Sequence, residues 1–105
     1  GVTVSGAVVD ADTAAPIEGA VVLVLKPGVT TREFLREKSR DMVAAFDQTD
    51  REGAYVLRPP LERGNKYSAV VVADGYRILA ADNVLNISED APAQVQSKPI
   101  RLSRN

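Results

Sequence analysis

Histidine, cysteine and tryptophan are all absent from the 105 residues of this sequence. Without cysteine the chain has no disulfide bond, no thiolate metal site and no cysteine nucleophile. Without histidine it lacks the commonest general base and the commonest metal ligand. A serine nucleophile would then need a lysine as its base, and Lys66 and Ser68 lie too close on one strand to meet usefully. We therefore predict no enzymatic activity, no cofactor and no metal site.

The chain also lacks a strong charge and a long apolar run. Its formal net charge is -1, so no field attracts nucleic acid or an anionic membrane surface. No apolar stretch approaches the roughly 20 residues that a membrane helix requires. No charged segment precedes an apolar one as in a signal peptide, so we expect no signal peptide in this sequence. Nucleic acid and membrane insertion are excluded as functions of this segment.

The length and composition are those of one globular domain. A chain of 105 residues with 45% hydrophobic and 26% charged residues can bury a stable core without covalent staples. Gly1 leads directly into a strand-like pattern. We interpret residues 1–105 as a single domain excised from a larger chain.

Strand patterns dominate the sequence. In residues 2–10, Val2, Val4 and Val8 alternate with polar or small residues, which predicts a strand with one buried face. Residues 17–25 form a nearly continuous Val- and Leu-rich run, typical of a strand that is buried on both faces. Further strand patterns cover residues 42–49, 54–58, 66–73, 76–81, 83–88 and 94–102. About seven short strands at this spacing predict an all-β sandwich.

Residues 29–42 interrupt the β pattern with a helical one. Thr30 and Glu33 have the spacing of a capping box, and Val29 and Phe34 that of a hydrophobic staple. We predict one short helix of about three turns that covers an edge strand or caps one end of the sandwich. Its functional interpretation is a docking surface with candidate contacts at Phe34, Leu35, Arg36 and Arg40. The alternative is an edge cover with a solvated charged face.

Two groups of acidic residues invite a metal-binding interpretation. Asp47, Asp50 and Glu52 precede Gly53, but the spacing of an EF-hand calcium loop is not met. Asp10 and Asp12 flank another loop. In both places side chains that bond a turn backbone are the favoured interpretation. Glycoside hydrolysis would need a cleft with stacking aromatic residues, and we expect all five aromatic residues to lie in the core or at a corner of the sandwich.

Five motifs in order resemble one known family. They are Val4-Ser5-Gly6-Ala7-Val8-Val9-Asp10, Pro16-Ile17-Glu18-Gly19-Ala20-Val21-Val22, Thr49-Asp50-x-x-Gly53-x-Tyr55-x-Leu57, Leu61-x-x-Gly64-x-x-Tyr67 and Ala73-x-Gly75-Tyr76. The fourth has the form of a tyrosine corner, in which a buried tyrosine hydroxyl binds upstream backbone. Together the motifs resemble the carboxypeptidase regulatory-like domain, a transthyretin-like (prealbumin-like) sandwich. The resemblance covers most of residues 2–76.

The resemblance implies a seven-stranded antiparallel Greek-key sandwich of the prealbumin-like or Ig-like type. It also implies a non-catalytic accessory domain of a larger exported protein in the periplasm, outside the cell or on its surface. The hydroxyisourate hydrolases on this scaffold depend on histidines, which are absent here. An isopeptide crosslink of the collagen-adhesin type needs a lysine in the first strand, and this one has none.

Three functions from different classes are open. The least favoured is an enzyme, whose catalytic centre would consist only of Asp, Glu, Lys, Ser or Tyr. The favoured one is domain positioning or protein–protein contact, with neighbouring domains of the parent protein or another protein as partners. The alternative is a carbohydrate- or peptide-binding module, which an exposed aromatic platform or an open edge strand would support. The sequence leaves the parent protein and the oligomeric state open.

Overall fold

Eight strands form two packed β-sheets in the computed structural model, which describes residues 1–105. The elements in chain order are β1 (Thr3–Asp10), β2 (Val21–Leu25), α1 (Thr31–Glu37), a 3-10 turn (Arg40–Met42), β3 (Val43–Gln48), β4 (Ala54–Val56), β5 (Asn65–Val72), β6 (Leu79–Ile87), β7 (Gln94–Gln96) and β8 (Ile100–Leu102). The predicted all-β sandwich with one short helical insertion is confirmed. No helix is long and apolar enough to span a bilayer.

The first sheet is centred on β1. Strand β4 pairs with it in antiparallel orientation, while β7 and β8 lie in succession along its other side and run parallel to it. From the sequence, one closing strand was expected over residues 94–102 in a purely antiparallel sandwich. Two short strands appear instead because Pro99, which has no N–H group, interrupts the ladder between them.

The second sheet has the antiparallel order β3-β2-β5-β6. Strand β2 is shorter than its apolar run because Gly19, at φ +82°, turns the chain before it. Strand β6 is one strand of nine residues where the sequence indicated two. Asn83 adopts φ +51°, and the β5–β6 register shifts beside it. The sequence break at this point is therefore an irregularity within one strand.

The core lies between the two sheets and contains sixteen buried residues. Val2, Val4 and Val8 are fully buried in it, as the alternation in residues 2–10 predicted. Burying each such side chain contributes roughly 1.5–3 kcal/mol relative to its exposure. Tyr67 also lies in the core, and its hydroxyl donates to the carbonyl oxygen of Glu62 at 2.7 Å. The predicted tyrosine corner is present.

The helix is built by the predicted capping box. The side chain of Thr30 accepts from the N–H of Glu33 at 3.1 Å, and the N–H of Thr30 donates to the carboxylate of Glu33 at 3.1 Å. The bond from the N–H of Thr30 to the carboxylate, followed by one from the Thr30 hydroxyl at 3.0 Å, lowers the pKa of Glu33. The α-helix ends after two turns rather than three, because Lys38 takes a left-handed conformation at φ +53°. A separate 3-10 turn, capped by Ser39, completes the insert.

Helix α1 lies on the outer face of the second sheet, near the edge strand β6. The N–H of Thr31 donates to Oδ1 of Asp82 on β6 at 2.8 Å, and this bond lowers the pKa of Asp82. Phe34 packs against Leu25 and Val70 from the sheet. The helix thereby covers one part of the outer face and leaves the rest uncovered.

Candidate interaction surface

The acidic residues around the β3–β4 hairpin serve the local backbone. Oδ2 of Asp47 accepts from the N–H of Val56 at 2.8 Å. Oδ1 of Asp50 accepts from the N–H groups of Glu52 and Ala54, each at 2.9 Å. The two aspartates thus occupy donors of the turn and of the short strand β4. This geometry agrees with the interpretation that these carboxylates bind the backbone around the turn.

Asp10 is a buried carboxylate with four hydrogen-bond donors. Oδ1 accepts from the N–H groups of Asp12 and Thr13, and Oδ2 accepts from Nε of Arg104 and the hydroxyl of Tyr76, both at 2.8 Å. The bond from Arg104, followed by that from Tyr76, holds the pKa of Asp10 well below its usual range. Asp10 raises the pKa values of both Tyr76 and Arg104 in return. The hydrogen bonds of Asp10 thus connect the end of β1 to the C-terminal segment.

Ser68 and the acidic side chains are the polar groups that nucleophilic or metal-assisted chemistry would use. No group of three or more His, Cys, Asp or Glu side chains is placed to hold a metal ion. Ser68 is buried, and its hydroxyl oxygen accepts from the N–H of Asn83 at 3.0 Å. Structural hydrogen-bonding roles therefore occupy Ser68 and three of the aspartates, Asp10, Asp47 and Asp50.

The four predicted contact residues of the helical insert do not form one surface. Phe34 is only 9% exposed and packs with the partly buried Leu35 on the sheet. Arg36 is exposed and pairs with its neighbour Glu37 at 3.2 Å. Arg40 lies beyond the α-helix, where it lines a groove over β2 and β3. Of the four, Arg40 lies nearest to an apolar surface that a partner could reach.

That groove is lined mainly by apolar side chains. Its volume is about 470 Å³, and six of its eight lining residues are hydrophobic. The lining residues are Val21, Leu23, Arg40, Val43, Ala44, Ala45, Phe46 and Pro59. Two further grooves also reach Pro59, so concave surfaces adjoin on both sides of this proline.

Phe46 is the exposed aromatic side chain of this region. Ala45 points into the core, and the period-two alternation turns Phe46 to the outer face, where it pairs with Leu23. The backbone of Phe46 makes two hydrogen bonds with that of Arg58, at 3.0 and 3.4 Å. Phe46 is nevertheless 58% exposed. The expectation that every aromatic residue lies in the core or at a corner was wrong here.

The exposed ring adjoins an uncovered part of the sheet. Leu23 pairs with Phe46 on one side and with Val70 on the other, while Val21 pairs with Val72. Helix α1 covers Val70, but Val72 is 38% exposed. We call the six residues Val21, Leu23, Arg40, Phe46, Arg58 and Pro59 the Phe46 surface. Aromatic residues are enriched where a protein surface is buried against a partner.

The two arginines of the Phe46 surface have no ion-pair partner within the protein. The chain has two ion pairs, Arg36–Glu37 and Arg104–Asp10, and neither involves Arg40 or Arg58. Both arginines are exposed. Arginine, like the aromatic residues, is enriched at protein–protein interfaces.

Comparison with known proteins identifies the fold. No family model and no curated protein matches the sequence. Among solved structures, 3-chlorocatechol 1,2-dioxygenase from Rhodococcus opacus 1CP has a TM-score of 0.62 at 15% identity, over 99% of this chain and 60% of that one. Wild-type catechol 1,2-dioxygenase from Acinetobacter radioresistens has a TM-score of 0.60 at 17% identity, over 99% and 52%.

A third similar structure is not a dioxygenase. The complex of a cohesin with an X-dockerin from Acetivibrio cellulolyticus contains a chain with a TM-score of 0.58 at 18% identity, over 97% of this chain and 57% of that one. The chain spans between about half and three fifths of the length of these three neighbours. Their shared feature with it is the β-sandwich, and at these identities the similarity concerns the fold alone.

Proposed function

We propose that this chain is a non-catalytic interaction domain that contacts another protein domain through the Phe46 surface. The observation that carries the proposal is the 58% exposure of Phe46 beside an apolar groove. A soluble domain leaves such a ring in water at a cost that burial against a partner would recover. The similar chain from Acetivibrio cellulolyticus comes from a cohesin–X-dockerin complex, which fits a sandwich used for protein–protein contact.

The Phe46 surface is rigid enough to present the ring to a partner. Phe46 lies within β3, which pairs with β2 along its length, and it is further held by its backbone bonds to Arg58. A contact residue on a fixed strand loses little conformational freedom on binding. We propose domain positioning by this surface, with no bond made or broken.

The family and the location belong to the same proposal. The five ordered motifs support assignment to the carboxypeptidase regulatory-like domains, and the tyrosine corner at Tyr67 agrees with it. On that resemblance the chain would be part of a larger exported protein. Cell fractionation with an antibody against this domain checks the location.

The carbohydrate alternative rests on the same ring. An exposed aromatic side chain is what that alternative requires, and Phe46 supplies one. Sugar hydroxyls also need polar partners close to the ring. The groove beside Phe46 has aliphatic walls and contains one polar side chain, that of Arg40. Its chemistry suits a protein side chain better than a sugar.

The two phenylalanines of the sequence allow a sharp test. Both are replaced biosynthetically by para-fluorophenylalanine, and the fluorine NMR spectrum is recorded for the isolated chain and for the full native gene product. The difference in fluorine chemical shift between H₂O and D₂O reports the exposure of each ring to solvent. We expect this difference to disappear for Phe46 in the full product. The Phe34 resonance, from a ring already buried, serves as the internal control. Unchanged exposure of Phe46 in the full product and in native complexes would contradict the proposal.

A further inference from the structure

We infer that the Phe46 surface selects a polypeptide segment that carries a large apolar side chain flanked by carboxylates. This inference rests on the proposed function and specifies the chemistry of the partner. It combines the apolar groove with the unpaired cations at its border. The groove requires a large apolar side chain on the partner, and the cations require carboxylates beside it. These two requirements can be tested separately.

The apolar requirement follows from the groove walls. Val21 and Leu23 form its floor from β2, and the ring of Phe46 and the ring of Pro59 stand beside them. The volume of about 470 Å³ lies within the range of sites that bury a ligand group. A large aliphatic or aromatic side chain would fill this space and cover the exposed face of Phe46. A purely polar segment would leave the walls in contact with water.

The charge requirement follows from the residues around the three adjoining grooves. The cations there are Lys26, Arg40 and Arg58, and the anions are Asp47 and Glu62. None of the three cations has an ion-pair partner within the chain. The carboxylate of Asp47 already accepts the N–H of Val56. A carboxylate on the partner therefore meets more cations than anions, and arginine can bind it in bidentate fashion.

A second copy of the chain fits this surface poorly. A two-fold symmetric contact would place the same patch on both sides, so that a surface with more cations than anions would meet an identical one. Like charges at an interface oppose association. A basic segment meets the same obstacle. The surface thus favours an acidic partner over both a symmetric dimer and a cationic chain.

The experiment uses three fluorescent peptides of identical core, with sequences DELFED, SSLFSS and KKLFKK. Binding to the whole chain is followed by fluorescence anisotropy at low and moderate salt. We expect the acidic peptide to bind, with the neutral one weaker and the basic one weakest. Added salt should reduce the preference, because exposed charges are screened within about 10 Å at 0.1 M.

Four variants connect the binding to the named residues. Phe46→Ala should weaken the acidic peptide by about tenfold or more, as expected for a hot-spot ring. Arg40→Glu and Arg58→Glu should each weaken it and raise affinity for the basic peptide. Arg101→Glu is the matched control, since Arg101 lies on the first sheet, in β8. It makes the same charge change away from the groove and should leave the preference intact.

The outcomes separate this inference from the proposed function. Equal binding of the three peptides, lost in Phe46→Ala, would overturn the acidic preference while supporting the surface itself. Binding that ignores Phe46→Ala, or no binding by any peptide, would overturn the inference. In that case the fluorine experiment still tests the proposed function. A dimer that is seen by sedimentation and abolished by Phe46→Ala would also overturn the inference of an acidic partner, because the occupant of the surface would be a second copy of the chain.

Discussion

Asp10 and Arg104 lie 94 positions apart in the chain, and their side chains meet at 2.8 Å. Asp10 ends β1, and Arg104 follows β8, which pairs with that strand. The guanidinium carbon of Arg104 also stands 5.6 Å from the centre of the Tyr76 ring, and the hydroxyl of Tyr76 reaches the same carboxylate. One buried acid thus connects the first strand, the segment before β6 and the C-terminal residues.

The first prediction concerns the pH dependence of stability. The folded state lowers the pKa of Asp10 below its ordinary value of 3.8. A depressed folded pKa contributes stability above the unfolded value and loses it as the pH falls through the folded value. We expect the wild type to lose stability below about pH 4, and Asp10→Asn to lose less over that interval. Asp10→Asn should also have a lower Tm near neutral pH.

Thermal melts near pH 7 and near pH 3 check this prediction. Asp12→Asn is the matched control, because the carboxylate of Asp12 accepts no hydrogen bond while its N–H donates to Asp10. An acid-induced loss of Tm in Asp10→Asn as large as in the wild type would show that other groups carry the dependence.

The second prediction concerns the two phenylalanines. Phe34 is buried between α1 and the sheet, so Phe34→Ala should lower the free energy of unfolding by about 3 kcal/mol. Phe46 is mostly exposed, so Phe46→Ala should change it by only about 0.5 kcal/mol. Urea unfolding of the two variants measures the difference. Equal losses would mean that Phe46 is part of the core rather than of a contact surface.

The third prediction concerns Thr49, a buried residue after β3. Its hydroxyl donates to the carbonyl oxygen of Ile17 at 2.6 Å and accepts from the N–H of Ala20 at 2.8 Å. Thr49→Val keeps the shape but leaves both backbone groups without this partner. We expect a loss of about 1–3 kcal/mol in the free energy of unfolding. Thr49→Ser, which keeps the hydroxyl, is the control and should lose less.

The fourth prediction concerns Gly53 in the β3–β4 turn. Its φ is +76°, and a Cβ atom there would stand 2.6 Å from the carbonyl oxygen of Val8. Gly53→Ala should therefore cost both a strained backbone, roughly 1 kcal/mol or more, and a clash with β1. Gly28 has φ +86° with no atom near its Cβ position. Gly28→Ala should bear the backbone cost alone, so chemical unfolding should show it to be the milder change.

Local patterns in the sequence were sufficient where neighbours along the chain decide the outcome. The alternation in β1, the capping box of Thr30 and Glu33 and the tyrosine corner at Tyr67 were all predicted and are present. Each depends on residues within a few positions of one another. Backbone donors, turn geometry and the two-residue period of a strand act over that distance.

The candidate surface was only partly predictable. Arg40 was named from the sequence, but Phe46 and Arg58 were not, because an aromatic residue in a strand usually indicates the core. The alternation of Ala45 and Phe46 held the signal that Phe46 faces outward. The alternation alone could not show that Phe46 is exposed, because that depends on which part of the outer face α1 covers.

By itself the sequence determined an all-β sandwich, a short capped helix and the absence of histidine and cysteine chemistry. Tertiary structure alone decided that β7 and β8 run parallel to β1, that Asp10 meets Arg104, and that α1 leaves Phe46 uncovered. These features join segments far apart in the chain. Their energies depend on which faces and edges remain available once the two sheets have packed, and no local pattern records that.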